Sequence, residues 1–339
     1  MQKINENIMQ KSVRVALLFA ATLTCSAQVS TPPAGNFKFK SIDVPGAVST
    51  DAEGINNLGQ IAGSFRDSSG VTAGYVQDGD QIRKIQFPNA TRTFGACINN
   101  SGTVGGNYFD ASGALHGFTL ENGAFSSVDF PGAALTELVD INDSGDLVGA
   151  YATPDFEFHG FIRDRNGFRS IDDPASTPPF RSTEAFGINN QQTIVGLFVD
   201  AKGNFHGYSL SRGVFRQIDV PGAVNTAPEG LNDRGDMTGI YFDLNNVQHG
   251  YVQRGDEFTT LDFPVGTETT LFQINSLGTI VGYWVDDAHH KHSFTATQQP
   301  VDGYENGSLP AVKTAPAQSC APSDLRQRPE QLRNPKACN

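Results

Sequence analysis

The sequence predicts an all-β fold: a six-bladed β-propeller with four-stranded repeats of about 43 residues, closed into a ring by the N-terminal strand. Three observations predict it: a residue pattern with a fixed period, four turn signals within each period, and complementary ends of the repeat region. The period is read from an asparagine that follows an aliphatic residue and returns in steps of 43, 43, 47, 43 and 43 residues. These asparagines are Asn56, Asn99, Asn142, Asn189, Asn232 and Asn275.

After each asparagine the chain has the alternation of a β-strand. An apolar residue stands five positions on, a glycine seven on and an aromatic residue nine on, so these side chains share one face of an extended strand. The glycines are Gly63, Gly106, Gly149, Gly196, Gly239 and Gly282, and the aromatic residues are Phe65, Tyr108, Tyr151, Phe198, Tyr241 and Trp284.

A turn then leads to a second strand, which carries His-Gly-aromatic in four units. The turn has an aspartate in five units and often a glycine three residues later, as turn geometry favours. The repeat-equivalent histidines are His116, His159, His206, His249 and His292. One histidine per blade would lie too far from the next to share a metal ion, so we expect each to tie its own blade together through nearby aspartates and a threonine.

Two more strands complete each unit. One ends in Ile-Asp-x-Pro or a variant of it, and the other opens with a threonine six residues before the next repeat asparagine. Four turn signals in each period therefore predict four short strands. The repeats begin with a strand of the Ile-Asp kind, 37–44, and end after a histidine strand, 292–297, so the first strand can complete the sixth blade and remove an exposed edge. An open β-solenoid is the alternative, but it would have shorter, parallel coils.

The single 47-residue step places four extra residues in the loop from Asp173 to Phe186, which contains Pro174, Pro178 and Pro179. Propeller blades vary most in the loops of their binding face. We therefore expect a ligand to meet the end of the propeller that carries this insertion and the Pro-Gly loops.

Acidic residues near the start of the innermost strand are the candidate binding residues: Asp51, Glu53, Glu137, Glu184 and Glu229, with Glu268 nearby. If that strand lines the axis, they would surround one end of the central channel with negative charge and attract a cation or a cationic ligand. The alternative is that they are solvated rim residues, as most carboxylates are. We expect no cofactor, although Ca²⁺, which takes several oxygen ligands, is left open.

The composition excludes a nucleic-acid-binding protein. The chain has 24 Lys and Arg residues against 36 Asp and Glu, a formal net charge of -12 and no basic run, whereas affinity for nucleic acid comes mostly from basic residues that neutralise phosphates. The same shortage disfavours binding to anionic membrane surfaces.

The N-terminus predicts a secretory signal peptide, residues 1–27, with a basic start, an apolar run from Val15 to Leu23 and a cleavage site after Ala27. The run is too short to span a bilayer. Cys25 raises the alternative of a lipid anchor, but the residues before it are a poor match to a lipobox. Residues 28–36 read as a linker and 298–339 as a low-complexity tail, in which Cys320 and Cys338 could pair in an oxidising compartment. We therefore expect a secreted or periplasmic protein.

The repeat residues resemble those of the extracellular HAF-repeat proteins of bacteria, whose units pair His-Ala-Phe with Ala-Ile-Asn-x-x-Gly-x-Val-Val-Gly. The resemblance covers residues 37–297, although this chain has His-Gly-Phe or His-Gly-Tyr in place of His-Ala-Phe. It implies a secreted β-rich repeat protein and carries over no catalytic residues.

The function that the sequence favours is an extracellular binding or scaffolding module with a protein or glycan as its ligand, and we expect a monomer. The alternative is a metal-dependent propeller hydrolase or lyase that acts on a sugar or lactone at an acidic axial site. A third interpretation is a structural envelope protein. Fold alone does not decide among them, because one propeller scaffold hosts many functions.

Overall fold

A computed structural model describes residues 37–287 and 290–299. These residues form 24 β-strands arranged in six four-stranded antiparallel sheets, so the predicted six-bladed β-propeller is confirmed. The described part of the chain contains no helix long and apolar enough to cross a membrane. The predicted signal peptide, the linker, and the tail from residue 300 on, including Cys320 and Cys338, lie outside the described residues.

Five blades consist of consecutive strands, ordered from the axis outwards. Blade 1 contains β2 Ala47–Ile55, β3 Ile61–Asp67, β4 Thr72–Asp78 and β5 Gln81–Ile85. Blade 2 contains β6 Arg92–Ile98, β7 Val104–Phe109, β8 Leu115–Glu121 and β9 Ala124–Val128. Blade 3 contains β10 Leu135–Ile141, β11 Leu147–Ala152, β12 Phe158–Asp164 and β13 Gly167–Ile171. Blade 4 contains β14 Thr183–Ile188, β15 Ile194–Val199, β16 Phe205–Ser211 and β17 Val214–Ile218. Blade 5 contains β18 Asn225–Leu231, β19 Met237–Phe242, β20 Gln248–Arg254 and β21 Glu257–Thr260.

The sixth blade joins the two ends of the repeat region, as the sequence predicts. It contains β22 Glu268–Ile274, β23 Thr279–Val285 and β24 Lys291–Gln298, with β1 Phe37–Ile42 as its outermost strand. The ring of Phe39 in β1 packs against Phe263 and Phe294 at centroid distances of 4.9 and 5.2 Å. β1 thus covers the edge of β24, which would otherwise be free to pair with another chain.

The repeat glycine of each second strand is required by close packing. A Cβ atom on Gly63 would lie 2.1 Å from the carbonyl oxygen of Asp51 and 2.9 Å from the ring of Tyr75. The space that the glycine leaves is filled by the aromatic residue of the third strand, which is fully buried at Tyr75 and at its equivalents. These equivalents are Phe118, Phe161, Tyr208, Tyr251 and Phe294.

The alternating strand directions divide the connections between two ends of the propeller. At one end, which we call the turn end, lie the turns from the first to the second strand and from the third to the fourth strand of each blade. At the other, the loop end, lie the turns from the second to the third strand and the loops from each outer strand to the next inner strand. The insertion between Asp173 and Phe186 is therefore at the loop end.

Candidate functional site

The six repeat asparagines form a closed hydrogen-bonded ring at the turn end. Each side-chain Nδ2 donates to the backbone carbonyl oxygen of the next asparagine, at 3.0 to 3.2 Å. Each Oδ1 also accepts from the backbone N–H groups two and four residues later, as Asn56 does from Leu58 and Gln60. All six side chains are buried, so their polar atoms need these partners. The asparagines that define the repeat therefore hold the blades together.

The residues that follow the six asparagines in sequence form a second polar ring, around a central cavity of about 70 Å³. In five places a backbone N–H donates to the side-chain oxygen of the next ring member, as Asn57 does to Asn100 at 2.8 Å and Asn190 does to Asp233 at 2.8 Å. Burial raises the pKa of Asp143 in this ring, but hydrogen bonds from Asn100 and Asn190 outweigh that effect and lower it. The two rings thus join neighbouring blades at the turn end.

The five candidate acids come from two different positions of the inner strand. Asp51, Glu137 and Glu184 directly follow the repeat threonine, whereas Glu53 and Glu229 occupy a β-bulge that interrupts the pairing with the second strand. From the sequence we expect these acids to form one ring, because a bulge, which inserts one unpaired residue into a strand, has no clear sequence signal.

The interpretation of these acids as solvated rim residues is wrong for three of them. Glu137, Glu184 and Glu229 are only 7%, 6% and 3% exposed. Asp51 is partly exposed and forms an ion pair with Lys291 at 3.7 Å, which links blade 1 to blade 6. Within 37–287 and 290–299, no group of three or more His, Cys, Asp or Glu residues is placed to hold a metal ion.

The repeat histidines contact aspartates of their own blade, as the sequence predicts, whereas the repeat threonine accepts from a backbone N–H, as Thr136 does from Phe130 at 2.9 Å. In His116 the Nδ1 atom lies 2.7 Å from Asp129 of the outer strand's loop, and the ring stacks on Tyr108 at a centroid distance of 5.0 Å. His159, His206 and His249 repeat this arrangement. In blade 6, Nε2 of His292 contacts the turn aspartate Asp286 at 3.1 Å instead. Each histidine thus joins strands or turns of its own blade.

The loop end combines negative charge with exposed apolar side chains. By sequence its connections contain thirteen acidic residues and two basic ones, Arg181 and Lys202, against six and three at the turn end. Among the described residues, eleven large hydrophobic side chains are exposed, and eight of them lie at or next to the loop end. Those eight are Val48, Val71, Phe156, Phe180, Val224, Leu244, Val247 and Val265.

Two of these residues, Phe156 and Phe180, are aromatic and were not singled out from the sequence. Phe156 lies in the turn between the second and third strands of blade 3, and Phe180 lies in the inserted loop before blade 4. They are 67% and 46% exposed. A signal was present, because Phe156 stands where three other units have glycine and one has asparagine.

No family model and no curated protein matches the chain. Among solved structures, it is similar to AofleA from Arthrobotrys oligospora, with 14% identity, a TM-score of 0.51 and coverage of 78% of this chain and 88% of that one. It is also similar to TolB from Acinetobacter baumannii, with 10% identity, a TM-score of 0.51 and coverage of 71% and 64%. A six-bladed fungal lectin from Aleuria aurantia aligns over 73% and 91% with 8% identity, but its TM-score of 0.49 is too low to support an argument. At these identities the similarities show a shared fold and leave function to be argued from this chain's own residues.

Proposed function

We propose that this protein is a secreted binding or scaffolding module that contacts its ligand, a protein or a glycan of the cell exterior, through the loop end. The chain is proposed to belong with the extracellular HAF-repeat proteins that it resembles and to be cleaved after Ala27. The observation that supports the proposal best is the concentration of exposed apolar side chains at one end of the propeller.

The contrast between the two ends supports the choice of surface. Exposed apolar side chains are typical of interaction sites where they form a continuous patch, and eight of the eleven among the described residues lie at or next to the loop end. At the turn end, by contrast, two rings of polar residues bind one another across the blades. The loop end therefore differs from the turn end in that it carries most of the exposed apolar side chains, whereas the turn end is built around rings of polar side chains.

Hydroxyl-radical footprinting tests the proposal. The mature protein is oxidised alone and after incubation with the envelope fraction of the producing cell, and oxidation is read for each residue. We expect protection of Phe156, Phe180 and Val265 at the loop end, while Leu58 and Leu277, which are 70% and 74% exposed at the turn end, stay reactive as internal controls. Protection of the turn end instead, or equal reactivity with and without the fraction, would overturn it. Sequencing of the mature N-terminus checks the cleavage site separately.

A further inference from the structure

Phe156 has a backbone conformation that suits its residue type poorly. Its φ angle is 62°, in the left-handed region where bulky side chains are strained. The equivalent residues Gly70, Gly113, Gly203 and Asn246 have φ angles of 87°, 85°, 86° and 61°. Glycine and asparagine tolerate this conformation, so phenylalanine is the exception in the series. A strained and exposed aromatic side chain is not explained by the fold, and such residues cluster at functional sites.

Phe180 is held near this turn by the inserted loop. A parallel bridge joins Phe158 to Ser182, which places the segments after Phe156 and after Phe180 side by side. The ring of Phe180 also covers the next turn along the ring of blades, because a Cβ atom on Gly203 would lie 3.5 Å from its Cδ2 atom. Phe180 therefore lies between the equivalent turns of blades 3 and 4.

Hydrogen bonds fix the loop that presents Phe180. The hydroxyl of Ser176 donates to the carbonyl oxygen of Ser182 at 2.9 Å and accepts from its N–H at 3.0 Å. The side chain of Asp173 accepts from the N–H of Ala175, and the backbone N–H of Asp173 donates to Thr183. The insertion is thus a preorganised support, which lowers the entropy lost when a ligand binds.

The charges around the two rings indicate what they would bind. Phe156 stands between Asp155 and Glu157, both exposed, and Glu157 has 58% of its side chain in solvent. The connections of the whole loop end are strongly acidic, but its two basic residues lie on the Phe180 side: Arg181 follows Phe180, and Lys202 precedes Gly203. Aromatic faces attract Lys and Arg cations, and nearby carboxylates strengthen this attraction.

We infer that the Phe156–Phe180 surface binds a basic polypeptide segment, with an Arg or Lys side chain over the ring of Phe156 and against Asp155 and Glu157, and with apolar atoms of the segment against Phe180. This inference rests on the proposed function and specifies its partner. Arg is among the residue types that most often dominate the energetics of protein interfaces, and here the partner would supply it. The charge of the surface favours a basic protein partner over a neutral glycan.

The test measures the fluorescence anisotropy of three labelled probes with the full chain as the cell produces it: a short peptide alternating arginine and serine, the same peptide with glutamate for arginine, and a neutral maltooligosaccharide. The variants are Phe156→Asn, which copies the asparagine of blade 5, Phe180→Ser, and Asp155→Asn with Glu157→Gln. Leu277→Ser is the control, since Leu277 is 74% exposed and lies at the turn end.

We expect the arginine peptide alone to bind, each aromatic variant to weaken it by about fivefold, and Leu277→Ser to leave it unchanged. The double carboxylate variant should weaken binding and reduce its dependence on salt. Equal binding of the arginine peptide by the wild type and both aromatic variants would show attraction by charge alone and overturn the site. If the oligosaccharide binds and Phe156→Asn abolishes that binding, the basic partner is overturned, and the loop end remains a binding surface. Binding of no probe would overturn this inference, while the footprint would still decide the proposed function.

Discussion

Asn275 in blade 6 donates a side-chain hydrogen bond of 3.0 Å to the carbonyl oxygen of Asn56 in blade 1, residues that are 219 positions apart in sequence. This bond closes the ring of six asparagines, just as the pairing of β1 with β24 closes the outer edge of the sixth blade. The propeller is thus closed twice, near the axis by side chains and at the periphery by a strand.

The asparagine ring makes a strong prediction for stability. Asn189→Ala removes the buried donor to Asn232 and the partly buried acceptor for the N–H groups of Gln191 and Thr193. We expect the free energy of unfolding to fall by about 2–4 kcal/mol, measured by urea denaturation. Asn245→Ala, in an exposed turn, is the control and should change it by less than about 0.5 kcal/mol. The same midpoint for both variants would contradict a structural role for the ring.

The turn aspartates predict tolerance of mild acid. Partial burial raises the pKa of Asp200, but the N–H groups of Asn204 and Lys202 outweigh that effect and lower it to about 2. A lowered folded-state pKa stabilises the protein above the unfolded value of 3.8 and loses that contribution as pH falls towards 2. Melting temperatures should therefore hold at pH 4 and decline below it. Asp200→Asn keeps the acceptor oxygen and should show a shallower decline; an unchanged slope would refute this.

His249 predicts a second pH dependence of stability, above pH 6.5. The hydrogen bond to Asp262 raises the pKa of His249 above its usual 6.5, against the opposing effect of burial. A raised folded-state pKa means that the contribution is complete below about pH 6.5 and is lost as pH rises through the folded value. Denaturant midpoints of the wild type should fall above pH 6.5 more steeply than those of His249→Gln. Parallel pH profiles would show that the contact with Asp262 does not favour the charged imidazole.

Divalent metal ions are predicted to have little effect. Ca²⁺ needs six or more oxygen ligands close together, and the candidate acids are divided between two positions of the inner strand. Calorimetry with Ca²⁺ or Mn²⁺ should therefore show no tight single site, and the melting temperature should not rise. A stoichiometric site that disappears in Glu53→Gln with Glu229→Gln would revive the metal-dependent enzyme.

Much of the fold could be predicted from sequence because it is repeated six times. The period, the threonine, glycine and histidine positions and the complementary ends are properties of single residues at fixed spacing, and each predicted the element that the structure shows. The histidine contacts with Asp129, Asp172, Asp219 and Asp262 followed from the same spacing.

The candidate site was harder to predict, for two physical reasons. The bulge at Glu53 and Glu229 recurs in the inner strand of all six blades, but residues of different types occupy it, so no residue pattern marked it. The burial of Glu137 and Glu184 likewise depends on the closed ring, whereas carboxylates are exposed by default. Phe156 could be noticed in the sequence because most other repeats have glycine at its position. Its proposed role could be inferred only from the backbone angle and the neighbouring insertion.

The measurement that tests the account most directly compares folding and binding on one sample of Phe156→Asn. Relief of the left-handed strain should leave the free energy of unfolding unchanged or raise it by up to about 1 kcal/mol, because asparagine tolerates this conformation at Asn246. Binding of the arginine peptide should weaken about fivefold in the same preparation. Weaker binding by a variant that is at least as stable as the wild type would show that Phe156 is retained for binding. A variant that is less stable and binds as well as the wild type would contradict the account.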